Sequence, residues 1–263
     1  MQPLELYIHI PFCVKKCAYC DFLSGPAGEK EKEEYVKMLV DEIRNCPDTV
    51  QNYRVISIFF GGGTPSLLTG EQIGRLMDTV REIFTLDEDA EITMEMNPGT
   101  VTEEKLRKYR QAGVNRLSIG LQSVNDEELR LLGRIHTYEE FREAYHLARA
   151  NGFSNINVDL ISAIPGQTVE SWRRTLEQVM ALSPEHISAY SLILEEGTTF
   201  YKKYVEDEAK EGPKLPDEDA ERQMYWDTEM LMEKNGYHRY EISNYAKEGY
   251  ACRHNLGYWE RIP

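Results

Sequence analysis

The chain has 263 residues, 41% of them hydrophobic and 29% charged, a composition typical of an ordinary globular protein. Thirty Lys and Arg against 45 Asp and Glu give a net charge of −15, and a surface this acidic repels phosphate backbones and anionic lipid headgroups, so we expect no nucleic-acid partner and at most transient membrane contact. The amino-terminal residues have neither a basic segment nor an unbroken apolar one, and no run reaches the ~18 apolar residues of a membrane span, so a cytoplasmic protein is predicted.

Apolar or alternating runs and amphipathic stretches follow each other along most of the chain. The predicted strands are 4–10, 54–60, 90–96, 115–121, 155–161 and 186–194. The predicted helices lie near 29–45, 70–84, 102–112, 138–151 and 168–182. Strict alternation indicates an α/β fold with a parallel sheet and right-handed crossovers. Periodicity does not separate an open doubly wound sheet from a partial barrel, but the polar residues described below favour a partial (β/α)6 barrel.

The composition changes after the sixth strand. Residues 206–221 are highly charged and contain Pro213 and Pro216, which is typical of a linker or of the start of a solvated helix. A helix is predicted near 217–235. We therefore divide the chain into a barrel, residues 1–205, and a linker with the start of a carboxyl-terminal domain, residues 206–263, and we expect this extension to be truncated.

Three of the five cysteines, Cys13, Cys17 and Cys20, crowd into eight residues after the first strand. An odd number of cysteines in a reducing compartment favours metal binding or redox chemistry over a disulfide framework. Each thiolate can ligate one iron, and three protein ligands leave the fourth iron of a cubane open. The alternatives are a zinc site with His9 as its fourth ligand and a redox disulfide, which would leave one thiol unpaired.

Polar and glycine residues also occur where successive predicted strands end. Residues 61–65, GGGTP, follow the second strand, and no Lys-Ser/Thr pair follows them as in a P-loop. Glu95, Gln122 and Asp159 belong to strands three, four and five, and barrel enzymes build their sites at the carboxyl ends of the strands. Arg134 could bind a carboxylate through two hydrogen bonds or form a surface salt bridge.

The segment YIHIPFCVKKCAYCDF resembles the opening of radical SAM proteins, in which CxxxCxxC binds a 4Fe-4S cluster and an aromatic residue precedes the third cysteine. FFGGGTPS, EMNP, RLSIGLQS, LGRIHT and NVDLISAIPGQT extend the resemblance over residues 4–168, to the oxygen-independent coproporphyrinogen oxidase family and its HemW relatives. The resemblance implies that the cysteines hold a cluster whose open iron chelates S-adenosylmethionine (SAM). An electron from such a cluster can cleave SAM to a 5′-deoxyadenosyl radical. The SAM pocket implied by the family comprises Tyr7, Tyr19, Gly62, Gly63, Thr64, Glu95, Gln122, Arg134 and Asp159; in the dehydrogenase some of these contact a second SAM.

Two features distinguish the branches of this family. Phe22 stands where the dehydrogenase has an additional cysteine, and this difference resembles the HemW branch. Residues 254–259, HNLGYW, resemble the HNxxYW motif of HemW proteins, which is implicated in haem binding. The resemblance implies that His254 ligates haem iron while Tyr258 and Trp259 cover the macrocycle. Cys252 is either a second ligand or a buried free thiol.

The resemblance therefore implies a HemW-like haem chaperone that carries haem as cargo to acceptor proteins such as respiratory haemoproteins, with an electron donor for the cluster. The alternative is an oxygen-independent coproporphyrinogen III dehydrogenase of porphyrin biosynthesis, against which Phe22 argues, and enzymatic activity is left open on that ground. A tRNA-modifying radical SAM enzyme fits poorly with the charge of −15. A zinc-stapled barrel is the remaining alternative.

Overall fold

A computed structural model describes residues 1–206 and 212–263. Six parallel strands form the main part of the sheet: β1 (Gln2–Ile10), β2 (Tyr53–Gly62), β3 (Thr85–Met96), β4 (Arg116–Gln122), β5 (Ile156–Ser162) and β6 (His186–Ser191). Their order in the sheet is β1-β2-β3-β4-β5-β6, the same as their order in the chain. A doubly wound sheet reverses its strand order at a switch point. Because the order of these strands never reverses, the predicted partial (β/α)6 barrel is confirmed.

Six helices connect these strands: α1 (Glu29–Arg44), α2 (Gly70–Ile83), α3 (Glu103–Ala112), α4 (Asp126–Leu132), α5 (Tyr138–Ala150) and α6 (Val169–Ala181). Thr69, Thr137 and Thr168 each precede a helix and accept a hydrogen bond from the backbone amide three residues on. Such caps satisfy amides that the first turn leaves without partners. The short helix α4 lies in the connection between β4 and α5 and was not predicted.

The two faces of the sheet differ in polarity. One face packs against the helices through buried apolar side chains, among them Ile58, Met94 and Leu117. The other face carries buried polar side chains that bond to one another: Asn157 Nδ2 donates to Ser118 Oγ at 2.7 Å. A buried polar group is tolerated where it finds such partners. The barrel interior is therefore polar, and it opens at the carboxyl ends of the strands.

Two predicted strand boundaries were wrong. The third strand begins at Thr85, five residues before the predicted start; the added residues include three acidic ones, which are uncommon in strands. Asp87 in this segment pairs with Arg54 of β2, with 3.1 Å between Oδ2 and Nε. The sixth strand ends at Ser191, three residues before its predicted end.

The residues after β6 extend the same sheet. They form α7 (Thr199–Tyr201), a π-helical turn (Lys202–Glu206), α8 (Glu218–Lys234), β7 (His238–Arg239), β8 (Asn244–Ala246) and α9 (Arg253–Glu260). β8 pairs antiparallel with both β6 and β7. Helix α8 packs on α6, where Trp172 Nε1 donates to Thr228 Oγ1 at 2.8 Å. Helix α9 then brings the chain back to β1, where the Glu5 amide donates to the Pro263 carbonyl at 2.9 Å.

The predicted linker, 206–221, falls partly on residues 207–211, which lie outside the described residues. From Glu218 onward this segment is helix α8. The division of the chain at 205/206 stays a prediction. None of the described helices is both long and apolar enough to cross a membrane.

Candidate functional site

The cysteine loop connects β1 to α1. Cys13, Cys17 and Cys20 are free thiols and each is partly exposed. The loop folds back on itself, since the Cys13 amide donates to the Gly25 carbonyl at 2.9 Å, and it is fixed to α4, since the Ala18 amide donates to the Leu132 carbonyl at 2.9 Å. The protein backbone therefore holds the three thiols in one loop at the carboxyl end of the first strand.

The arrangement of the thiols fits a cluster better than a single metal ion. Among the described residues, no three His, Cys, Asp or Glu side chains are placed as ligands of one ion. In a cubane each cysteine ligates a different iron, so the sulfur atoms need not converge on one point. His9, the fourth ligand in the zinc hypothesis, instead contacts the Tyr7 hydroxyl through Nδ1 (3.2 Å) and the Leu23 carbonyl through Nε2 (2.9 Å).

The glycine-rich segment after β2 packs directly on the cysteine loop. Gly62 has a φ of +109°, and a Cβ there would lie 2.4 Å from the His9 ring. A Cβ at Gly63 would lie 2.6 Å from the Phe12 carbonyl oxygen. The glycines are therefore required by the close approach of β1 and β2 within the protein itself, a reason that the sequence did not reveal. Next to them, Thr64 Oγ1 lies 3.5 Å from Cys13 Sγ.

Two carboxyl groups face the same pocket. Glu95 Oε2 accepts a hydrogen bond from the Gly62 amide at 3.0 Å, and burial, together with the nearby Asp159 carboxylate, raises the pKa of Glu95 to about 8. Burial also raises the pKa of Asp159, although Asn157 and Ser118 donate hydrogen bonds to its two oxygens. Buried acids without a fully compensating cation favour a ligand that carries positive charge.

Arg134 approaches the cysteine loop from the end of α4. Its Nη2 donates to the Gly120 carbonyl at 2.6 Å, and its Nη1 lies 3.9 Å from Cys17 Sγ. The guanidinium therefore places a positive charge beside the Cys17 sulfur. Helix α4 is thus the element that positions Arg134. Its signals in the sequence were the helix-capping Asn125 and the acidic first turn that follows it.

These groups surround one cavity of about 470 Å³. Its lining contains the three cysteines and eight of the nine predicted SAM residues: Tyr19, Gly62, Gly63, Thr64, Glu95, Gln122, Arg134 and Asp159. A cavity of this size is typical of small-molecule sites. The ninth predicted residue, Tyr7, is not in the lining. Its hydroxyl faces His9 instead, and burial raises its pKa to about 12.

Some lining residues were missed by the sequence analysis. Asn97 lines the cavity, and its buried Oδ1 has no hydrogen-bond partner in the described protein, so it is free to accept one from a ligand. Asn97 could have been identified from the segment EMNP, which is one of those that carry the family resemblance. Lys15, Lys16 and Ile193 also line the cavity. The two lysines lie between the first and second cysteines, and Ile193 lies beyond the end of β6.

The three predicted haem residues are not part of this cavity. His254 is 2% exposed, and its Nδ1 lies 2.8 Å from Ser57 Oγ while its Nε2 lies 3.3 Å from the Tyr258 hydroxyl. Burial lowers the pKa of His254 to about 4. Tyr258 and Trp259 are 63% and 59% exposed on α9. Cys252 is a buried free thiol whose Sγ lies 3.3 Å from Glu91 Oε1.

The chain matches known proteins along nearly all of its length. A profile of the radical SAM superfamily matches residues 7–179. The chain is 45% identical over 260 residues to the heme chaperone HemW of Escherichia coli K12, with 98% of this chain and 67% of the relative covered. It is 39% identical over 254 residues to the heme chaperone HemW of Bacillus subtilis, with 96% of this chain and 66% of the relative covered.

A solved structure shares the fold. The E. coli coproporphyrinogen III oxidase HemN, described as a radical SAM enzyme, superposes with a TM-score of 0.84 at 31% identity. The alignment covers 98% of this chain and 58% of that one. The chain thus spans about two thirds of the length of the HemW relatives and less of the HemN structure.

Proposed function

The chain belongs to the radical SAM superfamily, and within it to the HemW branch, and on this premise we propose that it binds a 4Fe-4S cluster, SAM and haem and delivers haem to acceptor haemoproteins. The observation that carries the proposal is that three free thiols, two partly buried acids and the glycine segment line one cavity. Haem is proposed as the cargo because both relatives described above are named heme chaperones. The acceptors, such as respiratory haemoproteins, and the electron donor are parts of the same proposal.

Cys13, Cys17 and Cys20 would hold the cluster. Their loop is fixed by the backbone hydrogen bonds from Cys13 to Gly25 and from Ala18 to Leu132. When bound, the cluster supplies one-electron chemistry and an open coordination position. Arg134, near the Cys17 sulfur, would offset part of the negative charge of the cysteine ligands.

The other lining residues would hold SAM. Glu95 and Asp159 would present carboxyl groups to a ligand that carries a positive sulfonium, and burial raises the pKa of each, a cost that a cationic ligand would offset. Tyr19 gives the cavity an aromatic surface beside Cys20. Tyr7 belongs to the family's SAM set and would act through its contact with His9.

Haem contact by His254, Tyr258 and Trp259 remains a prediction from the motif. Both imidazole nitrogens of His254 lie within hydrogen-bond distance of protein groups. Iron ligation by this histidine would therefore require α9 to move so that His254 no longer contacts Ser57 of β2.

A second candidate function is coproporphyrinogen III dehydrogenation, favoured by the 31% identity to the HemN structure over 98% of this chain. Phe22 lines the cavity where the dehydrogenase-like pattern has a further cysteine. A phenyl group can neither donate a proton nor ligate a metal in place of a thiol, which argues for the chaperone.

The proposal is tested on anaerobically reconstituted protein. We expect about four irons and four sulfides per chain, and no cluster when all three cysteines are replaced by serine. SAM binding by calorimetry and a saturable change in the Soret band on titration with haem should follow. Transfer of haem to an apo-haemoprotein supports the chaperone. Decarboxylation of coproporphyrinogen III without haem binding would overturn it in favour of the dehydrogenase.

A further inference from the structure

Three large apolar side chains are exposed at the mouth of the cavity or next to it. Phe22 and Ile193 line the cavity and are 66% and 68% exposed, and Leu23, next to Phe22, is 81% exposed. Large apolar side chains that gather on a surface commonly mark a site where an apolar partner binds. We define the rim as these three residues together with Lys15 and Lys16.

The two lysines place exposed positive charge at the rim of a protein whose net charge is negative. Lys15 and Lys16 are exposed and line the cavity, and neither forms an ion pair with any described residue. The protein as a whole has a charge of −15. The other charged residues at the mouth, Asp21 and Glu195, are acidic. An anionic ligand therefore finds its exposed cationic partners on the loop between Cys13 and Cys17.

An apolar surface beside two ammonium groups fits a ligand with a large apolar body and two carboxylates at one edge. Haem has this form: a flat apolar macrocycle with two propionates. We propose that haem docks on the rim, with its macrocycle against Phe22, Leu23 and Ile193 and its propionates at Lys15 and Lys16. This inference rests on the proposed haem function and locates the cargo at the cluster end of the barrel, away from the buried His254.

The first test uses the unmodified, cluster-loaded protein and changes the ligand. Binding of protoporphyrin IX and of its dimethyl ester is measured by fluorescence quenching. The ester retains the macrocycle and loses both charges, so we expect it to bind roughly tenfold more weakly, as the loss of two exposed ion pairs would produce. If the lysines serve only to balance the charge of the thiolates, acid and ester bind equally, and the inference is overturned.

The second test changes the protein. The double variant Lys15→Glu/Lys16→Glu should weaken haem binding roughly tenfold and abolish the preference for the acid over the ester. The matched control, Lys37→Glu/Lys234→Glu, makes the same change in net charge at exposed positions of α1 and α8 and should bind haem as the wild type does. Ile193→Asp, at an exposed position, should also weaken the binding of both protoporphyrin IX and its dimethyl ester. Iron analysis of every variant verifies that the cluster is present.

The experiments distinguish a failure of the proposed haem function from a failure of the rim as the docking site. If the wild-type protein carries its cluster but shows no saturable haem binding, the proposed function itself fails. If it binds haem tightly and the lysine variant and the control bind equally well, the function stands and docking on the rim is wrong. Weakened binding in His254→Ala with unchanged binding in the lysine variant would return the site to α9 and also overturn the inference.

Discussion

The imidazole of His254 stacks on Phe59, with 5.2 Å between the ring centroids and an interplanar angle of 25°. Tyr7 lies against the same imidazole at 6.4 Å, and its hydroxyl reaches His9, the ring that packs on Gly62. Helix α9, which carries the HNxxYW motif, therefore packs through His254 on side chains of β1 and β2 next to the glycine segment. A buried histidine in this position contributes to stability whatever its role in haem binding.

We expect His254→Ala to lower the free energy of unfolding by roughly 1–3 kcal/mol, because it removes the buried stacking on Phe59 and the hydrogen bond between His254 Nδ1 and Ser57 Oγ. Urea denaturation of the apoprotein measures this. Trp259→Ala, at an exposed position of the same helix, serves as the control and should change the free energy by less than about 0.5 kcal/mol. Equal, small effects in both variants would contradict the buried position of His254.

The raised pKa of Glu95 predicts a pH-dependent cost in stability. A carboxyl whose pKa is higher in the folded protein stabilises the fold below its unfolded pKa, 4.5, and this contribution is lost as pH rises to the folded value of about 8. Glu95→Gln should therefore have wild-type stability near pH 4.5 and exceed it by roughly 1–3 kcal/mol at pH 8.5. Urea denaturation of the apoproteins at the two pH values tests this, and a difference independent of pH would be inconsistent with it.

Replacement of any one of Cys13, Cys17 or Cys20 by serine should abolish stable cluster assembly, because a hydroxyl is a poor substitute for a thiolate ligand of iron. Iron analysis and the visible absorption of the cluster report the result. Cys46→Ser is the matched control: this cysteine lies two residues after the end of α1, and its thiol contacts the Glu42 carbonyl. Full iron content in a variant of the loop cysteines would disprove the ligand assignment.

Removal of the positive charge near Cys17 should make the cluster harder to reduce. In Arg134→Met we expect the reduction potential to fall by on the order of 50 mV, since 59 mV corresponds to a tenfold change in a one-electron equilibrium. A redox titration monitored by electron paramagnetic resonance measures the potential without any turnover. Arg110→Met, on the outer helix α3, is the control, and an unchanged potential in Arg134→Met would show that the guanidinium does not act on the cluster.

Gly62→Ala should destabilise the protein by more than about 2 kcal/mol, because the methyl group would meet the His9 ring and the backbone has a positive φ. Gly74→Ala is a matched control within helix α2, where an added Cβ meets no atom within 4 Å. That variant should be more stable than the wild type by about 0.5–1 kcal/mol. Thermal unfolding of both variants distinguishes a special position from a general effect of replacing glycine.

The sequence by itself determined the features that depend on neighbours along the chain. Alternating apolar patterns revealed six strands and five of the helices between them, and the spacing of Cys13, Cys17 and Cys20 identified one loop. Glu95, Gln122 and Asp159 were correctly grouped because the carboxyl ends of consecutive parallel strands meet at one edge of the sheet.

Only the tertiary structure decided contacts between distant segments. The sequence could not show that His254 lies against Ser57, since that contact joins positions 197 residues apart. Nor could it show that Gly62 accommodates His9, or that Lys15 and Ile193 share one rim. Local periodicity records which face of an element is buried; which distant side chain covers that face depends on how the elements pack.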